Sequence, residues 1–481
     1  MNDRDFKKKL YLYEKIVEDI SNQINNGVLK SGEQLPSLRK LSRDFRVSIS
    51  TVMQAYTMLE SLGLVIVKSK SGYYVRHKTD RVLPEIEITN IETTVKRFQP
   101  NEIILSIQDL ARTPNIISLG AAIPHSDVLP VKKLSRIVTK ISRGFEPTSL
   151  DYQFPPGNYK LRREIAKHSI EWGCNFSPDD IIITSGAMDA ISLCLRAIAK
   201  HGDTIIIESP NYTVNLLLLQ SLGLKILELP THPRDGINIP SLKRVLEDHE
   251  VAGCLLYPTL CNPIGSIMPL KKREEVYKIL AYKEIPLIEV NVHGELCFDH
   301  SRPKPIKALD IKKNVLYIYS FSKTVAPGYR IGWVSPGRYY EQVRRLKLIN
   351  SMATASIQQM AIAEFLKSGG FERSIKNQRE IFSNRVSVLS DFVSEYFPDG
   401  TRFSRPRGGY FLWVELPKNA DSVKLQRMAL KENISIAPGP MFTTKERNYR
   451  NFIRLSCATP NWSSSTIQSA LEKLGKLIRQ F

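Results

Sequence analysis

The first 78 residues contain three short stretches with apolar side chains at helical spacing. In residues 10–26 the apolar positions recur every three or four residues, which predicts a helix that ends at the Asn-Asn-Gly sequence 25–27. Ser37 suits the cap of a second, short helix that ends near Phe45. A third helix is predicted to begin at residues 47–48, and its apolar face comprises Val52, Tyr56, Leu59 and Leu62.

Residues 64–75 alternate apolar and polar side chains about a Ser-Gly turn, which predicts a two-stranded hairpin with a basic tip. Three short helices and a hairpin are typical of a winged helix-turn-helix, whose third helix enters the major groove of DNA. The predicted DNA-contacting residues are Arg39, Arg43, Ser48, Ser50, Thr51, Gln54, Lys68, Lys70 and Gly72. The alternative is a small helical interaction domain with a solvated basic face.

The net charge agrees with a polyanionic partner but does not decide it. Lys and Arg total 68 against 48 Asp and Glu, a formal net charge of +20. Clustered cations displace counterions from phosphates, yet a basic enzyme would show the same excess. The six cysteines are scattered without a C-x-x-C pair, which predicts neither a metal site nor a disulfide framework. No apolar run reaches roughly 18 residues, so we expect a soluble, cytoplasmic protein.

The periodic pattern degrades after residue 77, where Pro84, Pro100 and Pro114 interrupt it. We interpret residues 78–114 as a linker, with a flexible tether of some 20–25 residues before a short helix within 101–112. The predicted organisation is therefore a DNA-binding domain over 8–77, the linker, and a large domain over 115–481.

The large domain alternates short apolar runs with amphipathic stretches, which predicts an α/β fold with a mostly parallel sheet. The strand candidates are residues 181–184, 204–209, 254–258, 286–290 and 315–322. Ligands bind beyond the carboxyl ends of such strands. Two sequences at these ends carry polar chemistry. Ser-Gly-Ala-Met (185–188) predicts an anion cradle at a helix N-terminus, and Ser-Phe-Ser-Lys (320–323) with Arg330 suits a phosphate ester beside a nucleophilic amine.

Longer motifs indicate two families. LPSLRKLSRDFRVSISTVMQAYTMLESLGL followed by SGYYV resembles the DNA-binding domain of GntR regulators over residues 10–76. Residues 115–478 resemble fold-type I aminotransferases through an ordered set of motifs: DYQFPPGNYKLR, TSGAMDAISL, ESPNY, PTLCNPIGS, SFSKTVAPGYRIGW, RGGYFLWVELP and IRLSCA. The whole chain resembles the MocR subfamily, which joins these two domains.

The resemblance implies pyridoxal 5'-phosphate as the cofactor and Lys323 as the Schiff-base lysine. It assigns the cofactor phosphate to Gly186, Ala187, Met188, Ser320, Ser322 and Arg330. It further implies that Tyr212 stacks on the pyridine ring, that Asn262 bonds the phenolic oxygen, and that Arg454 binds the carboxylate of an amino compound. Tyr152 would reach the phosphate of the neighbouring subunit, which implies a homodimer.

The sequence departs from the aminotransferase pattern at LIEVNVHGEL (287–296). Val290 stands where the family has the Asp that pairs with the pyridine nitrogen, and His293 stands where it has a Tyr. Without a carboxylate, a buried pyridinium tends to lose its proton and with it the ring's power to withdraw electrons. Asn291 and His293 are candidate replacement donors to the cofactor, although an ordinary structural role is an open alternative for His293.

Three functional hypotheses follow. In the first, the large domain senses the cofactor or an amino compound and changes DNA affinity. In the second, the protein is an active aminotransferase with a DNA-binding appendage. In the third, the large domain has lost the cofactor and only dimerises. Val290 favours the first over the second, and the retention of Lys323, Arg330, Asn262 and Tyr212 argues against the third.

Overall fold

The chain forms two compact units in a computed structural model. The structure describes residues 11–68, 71–76, 79, 81–96, 113–144, 149–299, 302–445, 447–460 and 462–481, with the backbone alone for Ser61 and Lys68. The first unit comprises Met1–Val82, Asn384–Pro398 and Asn461–Gln480, and the second comprises Leu83–Ser383, Asp399–Pro460 and Phe481. Each unit is made of segments that are separated in sequence, whereas the predicted domains 8–77, 78–114 and 115–481 are continuous ranges. These predicted bounds cannot be matched directly to the units and stay a prediction.

The described residues form helices distributed over both units. They are α1 (Leu12–Asn25), α2 (Leu38–Asp44), α3 (Ile49–Ser61), α4 (Val131–Arg143), α5 (Tyr159–Ser169), α6 (Ala187–Ile198), α7 (Thr213–Ser221), α8 (Ile239–Asp248), α9 (Leu270–Tyr282), α10 (Tyr340–Ser351), α11 (Ser356–Lys367), α12 (Gly370–Tyr396), α13 (Ser422–Lys431) and α14 (Ser464–Ile478). None of these helices is long and apolar enough to cross a membrane.

The strands of the described residues are mostly short. They are β1 (Val65–Lys68), β2 (Gly72–Val75), β3 (Val95–Lys96), β4 (Ile117–Ser118), β5 (Ile182–Thr184), β6 (Thr204–Ser209), β7 (Lys225–His232), β8 (Gly236–Ile237), β9 (Gly253–Leu256), β10 (Leu287–Val290), β11 (Val315–Ser320), β12 (Gly332–Ser335), β13 (Arg402–Phe403), β14 (Phe411–Glu415), β15 (Ile434–Ser435), β16 (Ala437–Pro438) and β17 (Phe452–Ser456). All five strand candidates from the sequence are confirmed, as β5, β6, β9, β10 and β11.

The first unit begins with the predicted three helices and hairpin. Ser37 caps α2 by accepting a hydrogen bond from the Lys40 amide, and Ser48 caps α3 by accepting one from the Thr51 amide. These bonds satisfy amides that a helix leaves without partners at its start. Strands β1 and β2 pair antiparallel. The core side chains of this part are Ile16, Ile20, Leu35, Leu41, Val52, Ala55, Tyr56, Leu59, Val65 and Val75.

The first unit also contains segments remote in sequence, namely α14 and the end of α12. The Nε of Arg76 donates to the Gly63 carbonyl at 2.7 Å, and its Nη1 donates to Asp391 at 2.7 Å. A Cβ on Gly63 would lie 1.9 Å from Cγ2 of Val388, so the Val388 side chain occupies space that only a glycine leaves open. In addition, Ser464 donates to the Glu60 carbonyl at 3.2 Å. Packing contacts and a partly buried ion pair thus join α3 and the hairpin to these segments.

The second unit is built on a large sheet with the strand order β3-β7-β6-β9-β10-β11-β12-β5, and β8 pairs with β7. From β7 to β5, six of the seven strands run in one direction and β12 runs opposite to its neighbours. Alternate side chains of β11 enter different cores: Leu316 and Ile318 enter one, and Tyr317 and Tyr319 enter the other. Two-sided burial explains why these strands read as continuous apolar runs. The predicted α/β fold is confirmed.

A smaller antiparallel sheet, with the order β13-β14-β17-β16, also belongs to the second unit. The sequence interpretation did not identify its strands. Residues 83–96, part of the predicted linker, belong to this unit as well. Leu83 and Ile86 are buried, and β3 pairs with β7. The expectation of a flexible tether is wrong for these residues, because a few apolar side chains and edge pairing suffice to hold an extended segment.

Candidate functional site

The carboxyl-end region of the large sheet surrounds a cavity of about 220 Å³ in the second unit. The segments after β5, β6 and β11 and the last residue of β10 contribute to its lining. This position agrees with the rule that open α/β sheets bind ligands beyond their strand ends. The predicted residues that line the cavity are Ala187, Met188, Tyr212, Asn262, Val290, His293, Ser320, Ser322, Lys323, Arg330 and Arg454.

One wall of the cavity is a group of hydrogen-bond donors that we name the anion cup. It consists of the lining residues Ala187, Met188, Ser320, Ser322 and Arg330, together with Gly186, which directly precedes Ala187 and is not itself part of the lining. The Ser320 hydroxyl donates to that of Ser322 at 3.0 Å, and Arg330 Nη1 donates to the same Ser322 oxygen at 3.0 Å. Helix α6 begins at Ala187 without a side-chain cap, so its first amides are available to an anion. Two hydroxyls, a guanidinium and a helix N-terminus together suit a phosphate monoester.

Backbone geometry at the anion cup is unusual at two positions. Arg330 has a φ of +54°, a left-handed conformation that an arginine rarely adopts. Gly186 has a φ of +88°, and a Cβ there would lie 2.4 Å from Arg330 Nη2. The guanidinium therefore occupies the space that any side chain at residue 186 would fill. The glycine allows the Arg330 guanidinium to lie directly beside the N-terminus of α6.

Lys323 lies three residues after the end of β11. Its Nζ donates to the Ala122 carbonyl at 3.0 Å. Burial, followed by the positive charges of Arg454 and Arg330, lowers the pKa of Lys323 to about 8. A substantial fraction of this amine is therefore neutral near pH 7.5, as a nucleophilic lysine requires.

Arg454, on β17, is buried at the cavity wall. Its Nη1 donates to Asn262 at 2.9 Å, and its Nη2 donates to the Gly120 carbonyl. No hydrogen-bond partner for its Nε is found among the described residues. Burial lowers the pKa of Arg454 to about 10, which leaves it charged at neutral pH. These two hydrogen bonds use two of the five guanidinium N–H donors and hold the group in place.

Val290 and His293 lie in the cavity wall where the sequence departs from the aminotransferase pattern. Val290 is buried and offers no polar atom. His293 Nε2 lies 3.3 Å from the Tyr410 hydroxyl, and the imidazole packs edge-on against Tyr410 and Phe411. Burial, reinforced by the charges of Lys323 and Arg454, lowers the pKa of His293 to about 3. The ring is therefore neutral at physiological pH.

Three predicted residues, Gly186, Asn291 and Tyr152, are not part of the cavity lining of this chain. Asn291 turns toward Gly294, where a Cβ would lie 2.1 Å from its Oδ1, while its neighbours Val290 and Val292 face the cavity. The Asn291 side chain is thus directed away from the cavity in this chain, and its contact with the cofactor stays a prediction. Tyr152 is 70% exposed and stacks on Phe154 with ring centroids 5.4 Å apart. Its role toward a neighbouring subunit stays a prediction.

The predicted DNA-contacting residues lie in the first unit. Ser48, Ser50 and Gln54 are exposed at the N-terminal half of α3, and Thr51 is half-buried there. Both arginines, Arg39 and Arg43, are exposed on α2. Gly72 opens β2 with a φ of +108°. The Lys68 side chain and Lys70 lie outside the described residues.

Comparisons with known proteins agree with both halves of this description. The family model for bacterial regulatory proteins of the gntR family matches residues 12–75, and that for aminotransferase class I and II matches residues 114–474. The HTH-type transcriptional regulator YjiR of Escherichia coli is 34% identical over 97% of this chain and 98% of its own length. The regulator YdcR of the same organism is 34% identical over 97% and 99%. The chain belongs to the MocR-type GntR transcription regulators.

The aminotransferase part of this MocR-type regulator is also similar to solved structures. The α-aminoadipate aminotransferase LysN of Thermus thermophilus, complexed with N-(5'-phosphopyridoxyl)-L-leucine, matches with a TM-score of 0.73 and 25% identity. The match covers 80% of this chain and 96% of LysN. The predicted GntR head and aminotransferase-like body are thereby confirmed.

The cavity of the regulator contains residues that the sequence interpretation missed. Tyr257 directly follows β9 and lines the cavity, and its hydroxyl bonds to Asn215. Its position at a strand end could have identified it. Phe442 and the Gly120–Ile123 loop also line the cavity, but their apolar sequences carry no chemical signal. Of the described residues, those lining the cavity include three cations and no Asp or Glu.

Proposed function

We propose that this regulator binds pyridoxal 5'-phosphate in the cavity of its second unit and senses the cofactor or an amino compound joined to it. The observation that carries the proposal is the charge of the cavity. Lys323, Arg330 and Arg454 converge on it without a carboxylate to balance them. Unbalanced cations in a partly buried site are costly, and an anionic ligand offsets that cost.

The residues of the anion cup fit the phosphate of this cofactor. Gly186 is necessary for this arrangement, because the Arg330 guanidinium occupies the space that a Cβ at residue 186 would fill. When bound, pyridoxal phosphate supplies an aldehyde that condenses with amines. Lys323 provides the amine, and its lowered pKa keeps part of it neutral. The similarity to LysN, whose structure holds a phosphopyridoxyl amino acid, supports the same assignment.

Arg454 supports an effector that carries a carboxylate. Its Nη groups are occupied by Asn262 and Gly120, which fix the guanidinium in place. The guanidinium lines the cavity and retains N–H donors that these two bonds do not use, which suits a carboxylate. An amino acid would then engage the cofactor with its amine and Arg454 with its carboxylate. If such an effector binds one conformation of the regulator more tightly than another, it would change the fraction of the protein that is in the conformation that binds the operator.

The absence of a carboxylate at Val290 favours sensing over turnover. Strong electron withdrawal by the pyridine ring needs a protonated nitrogen, and protonation needs a nearby negative charge. Neither Val290 nor any other described lining residue supplies one. Neutral His293 does not supply one either. An active aminotransferase would therefore lack the carboxylate that keeps the pyridine nitrogen protonated. The presence of the anion cup and Lys323 argues against the other alternative, a domain that only dimerises.

We further propose that the regulator acts as a homodimer on operator DNA in the cytoplasm. Leu150, Tyr152 and Phe154 are 89%, 70% and 50% exposed in one short segment. Exposed apolar patches of this kind mark interaction surfaces. A second copy of the chain would cover them and bring Tyr152 to the neighbouring cavity. Two DNA-binding heads would then read two half-sites.

The test of cofactor binding is a titration of the full-length protein with pyridoxal phosphate, followed by absorbance. We expect a new visible band that borohydride reduction converts into a covalent mass increase on Lys323. The Lys323→Ala variant should lose both, whereas Lys418→Ala, which changes an exposed lysine outside the cavity, should retain both. A featureless spectrum at saturating cofactor would refute the proposal.

The test of sensing against turnover uses amino acids added to the cofactor-loaded protein. We expect negligible conversion to the pyridoxamine form by the natural protein and measurable conversion by Val290→Asp. Rapid conversion by the natural protein would instead establish the aminotransferase alternative.

A further inference from the structure

The solvent-facing side of α3 has an unusual composition for a surface that meets a polyanion. The buried face consists of Val52, Ala55, Tyr56 and Leu59, which lie at helical spacing. On the opposite side Ile49 and Met53 remain 48% and 54% exposed, next to exposed Ser50 and Gln54. Ile49 and Met53 lie one helical turn apart and thus form one small apolar patch on the exposed side of α3.

Positive charge is present beside this face but not on it. The sequence of α3, ISTVMQAYTMLES, contains no Lys or Arg. Exposed cations are instead supplied by α2 and its flanks, at Arg39, Lys40, Arg43 and Arg46. A helix that enters a groove reads base edges, while cations at its periphery bind phosphates. On this division, the cations of α2 and its flanks are suited to phosphates, and the uncharged side chains of α3 are suited to base edges.

Hydrogen bonding within the first turn narrows the set of base-reading residues. The Ser48 hydroxyl accepts from the Thr51 amide and lies 2.7 Å from the Ser50 hydroxyl and 2.8 Å from that of Thr51. These three hydroxyls are engaged with one another, so they add little discrimination between bases. In the N-terminal half of α3, the exposed residues outside this hydroxyl group are Ile49, Met53 and Gln54.

We infer that the exposed side of α3, with Ile49, Met53 and Gln54, reads A·T pairs in the major groove. A Gln amide bonds both N6 and N7 of adenine, whereas the commonest contact to guanine uses Arg or Lys, which α3 lacks. Apolar side chains recognise the C5-methyl group that only thymine presents there. Gln54 is the adenine-reading residue, and Met53 and Ile49 contact thymine methyl groups. The inference rests on the proposed DNA-binding function and adds the class of half-site.

The first experiment selects duplexes from a random library with the full-length protein. We expect selected half-sites with A·T pairs at their conserved central positions. G·C pairs at those positions would overturn the inference while leaving DNA binding intact. Failure to retain any duplex, even at low salt, would overturn both the inference and the proposed DNA-binding function.

The second experiment changes single atoms of the selected site. Replacing a contacted thymine by deoxyuridine removes only the methyl group and should weaken binding about fourfold, the effect of one buried methylene-sized group. Where the affected methyl group is contacted by Met53, the same replacement should not change the affinity of the Met53→Ala variant. Where it is contacted by Ile49, the replacement should not change the affinity of the Ile49→Ala variant. Replacing the contacted adenine by 7-deazaadenine should likewise weaken the natural protein but not Gln54→Ala.

Matched controls separate base reading from folding and general affinity. Gln54→Ala should lower affinity for the selected site about 5- to 150-fold and leave affinity for random DNA unchanged. Thr57→Ala, exposed on the same side one turn further along, should alter neither. Thermal denaturation should give equal midpoints, because all these side chains are exposed. Uniform effects of deoxyuridine on every variant, or none on the natural protein, would overturn the inference.

Discussion

Gly186→Ala is the sharpest perturbation of the anion cup, because it adds one methyl group at the point where Arg330 meets the start of α6. The new Cβ would lie 2.4 Å from Arg330 Nη2 and 3.0 Å from the guanidinium carbon. The guanidinium must therefore shift, and with it goes the 3.0 Å hydrogen bond from Nη1 to Ser322. The change removes a phosphate donor without altering any charge of the cavity.

Two separate costs follow from this geometry. Alanine at a φ of +88° costs about 1–2 kcal/mol in the folded state, because its Cβ meets the backbone in the left-handed region. Displacing Arg330 removes a charge-assisted hydrogen bond to the phosphate, worth about 1.5–3 kcal/mol. The dissociation constant for pyridoxal phosphate should therefore rise about 10- to 150-fold.

The assay compares two ligands and two variants by absorbance titration. Pyridoxal lacks the phosphate, so its affinity should be nearly the same for the natural protein and Gly186→Ala. Gly202→Ala is the matched control, since Gly202 has a φ of +90° and no atom lies within 4 Å of the methyl group that the substitution would add. It should lose similar stability on thermal denaturation and keep its affinity for pyridoxal phosphate.

Equal affinities of the natural protein and Gly186→Ala for pyridoxal phosphate would refute the assignment of the phosphate to the anion cup. A parallel loss for pyridoxal and pyridoxal phosphate would also refute it, because that loss would reflect damage to the whole cavity.

Three further predictions concern the lysine, the DNA contacts and the first unit. The rate of covalent cofactor capture should rise about tenfold per pH unit up to the Lys323 pKa of about 8 and then level off, because only the neutral amine reacts; stopped-flow absorbance measures it, and a rise that continues to pH 10 would contradict the lowered pKa. Arg43→Ala should weaken binding to all duplexes alike and reduce the slope of log affinity against log salt by about one; an unchanged slope in fluorescence anisotropy would exclude a phosphate contact. Asp391→Ala should lower the free energy of unfolding by about 1–3 kcal/mol, because it leaves the buried Arg76 guanidinium without its carboxylate; an unchanged denaturant midpoint would show that the pair contributes nothing.

Much of the local structure could be predicted from the sequence because it depends on neighbours along the chain. Helical spacing located α1 and α3, and the starts of α2 and α3 could be placed at Ser37 and Ser48, which cap them. The anion cup was predictable for a related reason. Its two sequences directly follow buried strands, and strand ends of a parallel sheet share one edge.

The direction of individual side chains in the cavity could not be predicted in the same way. Asn291 is a polar residue beside Val290, but its amide lies against Gly294, while Val292 and His293 line the cavity. The chain bends after β10 ends at Val290, so the period of a strand does not predict which of these side chains face the ligand. The cavity's lack of acidic residues among its described lining is likewise a property of several segments together, and no single motif carries it.

For this MocR-type regulator, the sequence alone determined the two families, the order of the domains, the short helices of the head and the residues of the anion cup. Only the tertiary structure decided that the first unit includes the end of α12, through Arg76 with Asp391 and Gly63 against Val388, and α14, through Ser464 with the Glu60 carbonyl. It also decided that residues 83–96 belong to the second unit. The physical reason is distance along the chain: contacts between segments hundreds of residues apart leave no periodicity in either segment, whereas helices, caps and strand-end motifs are encoded within a few residues.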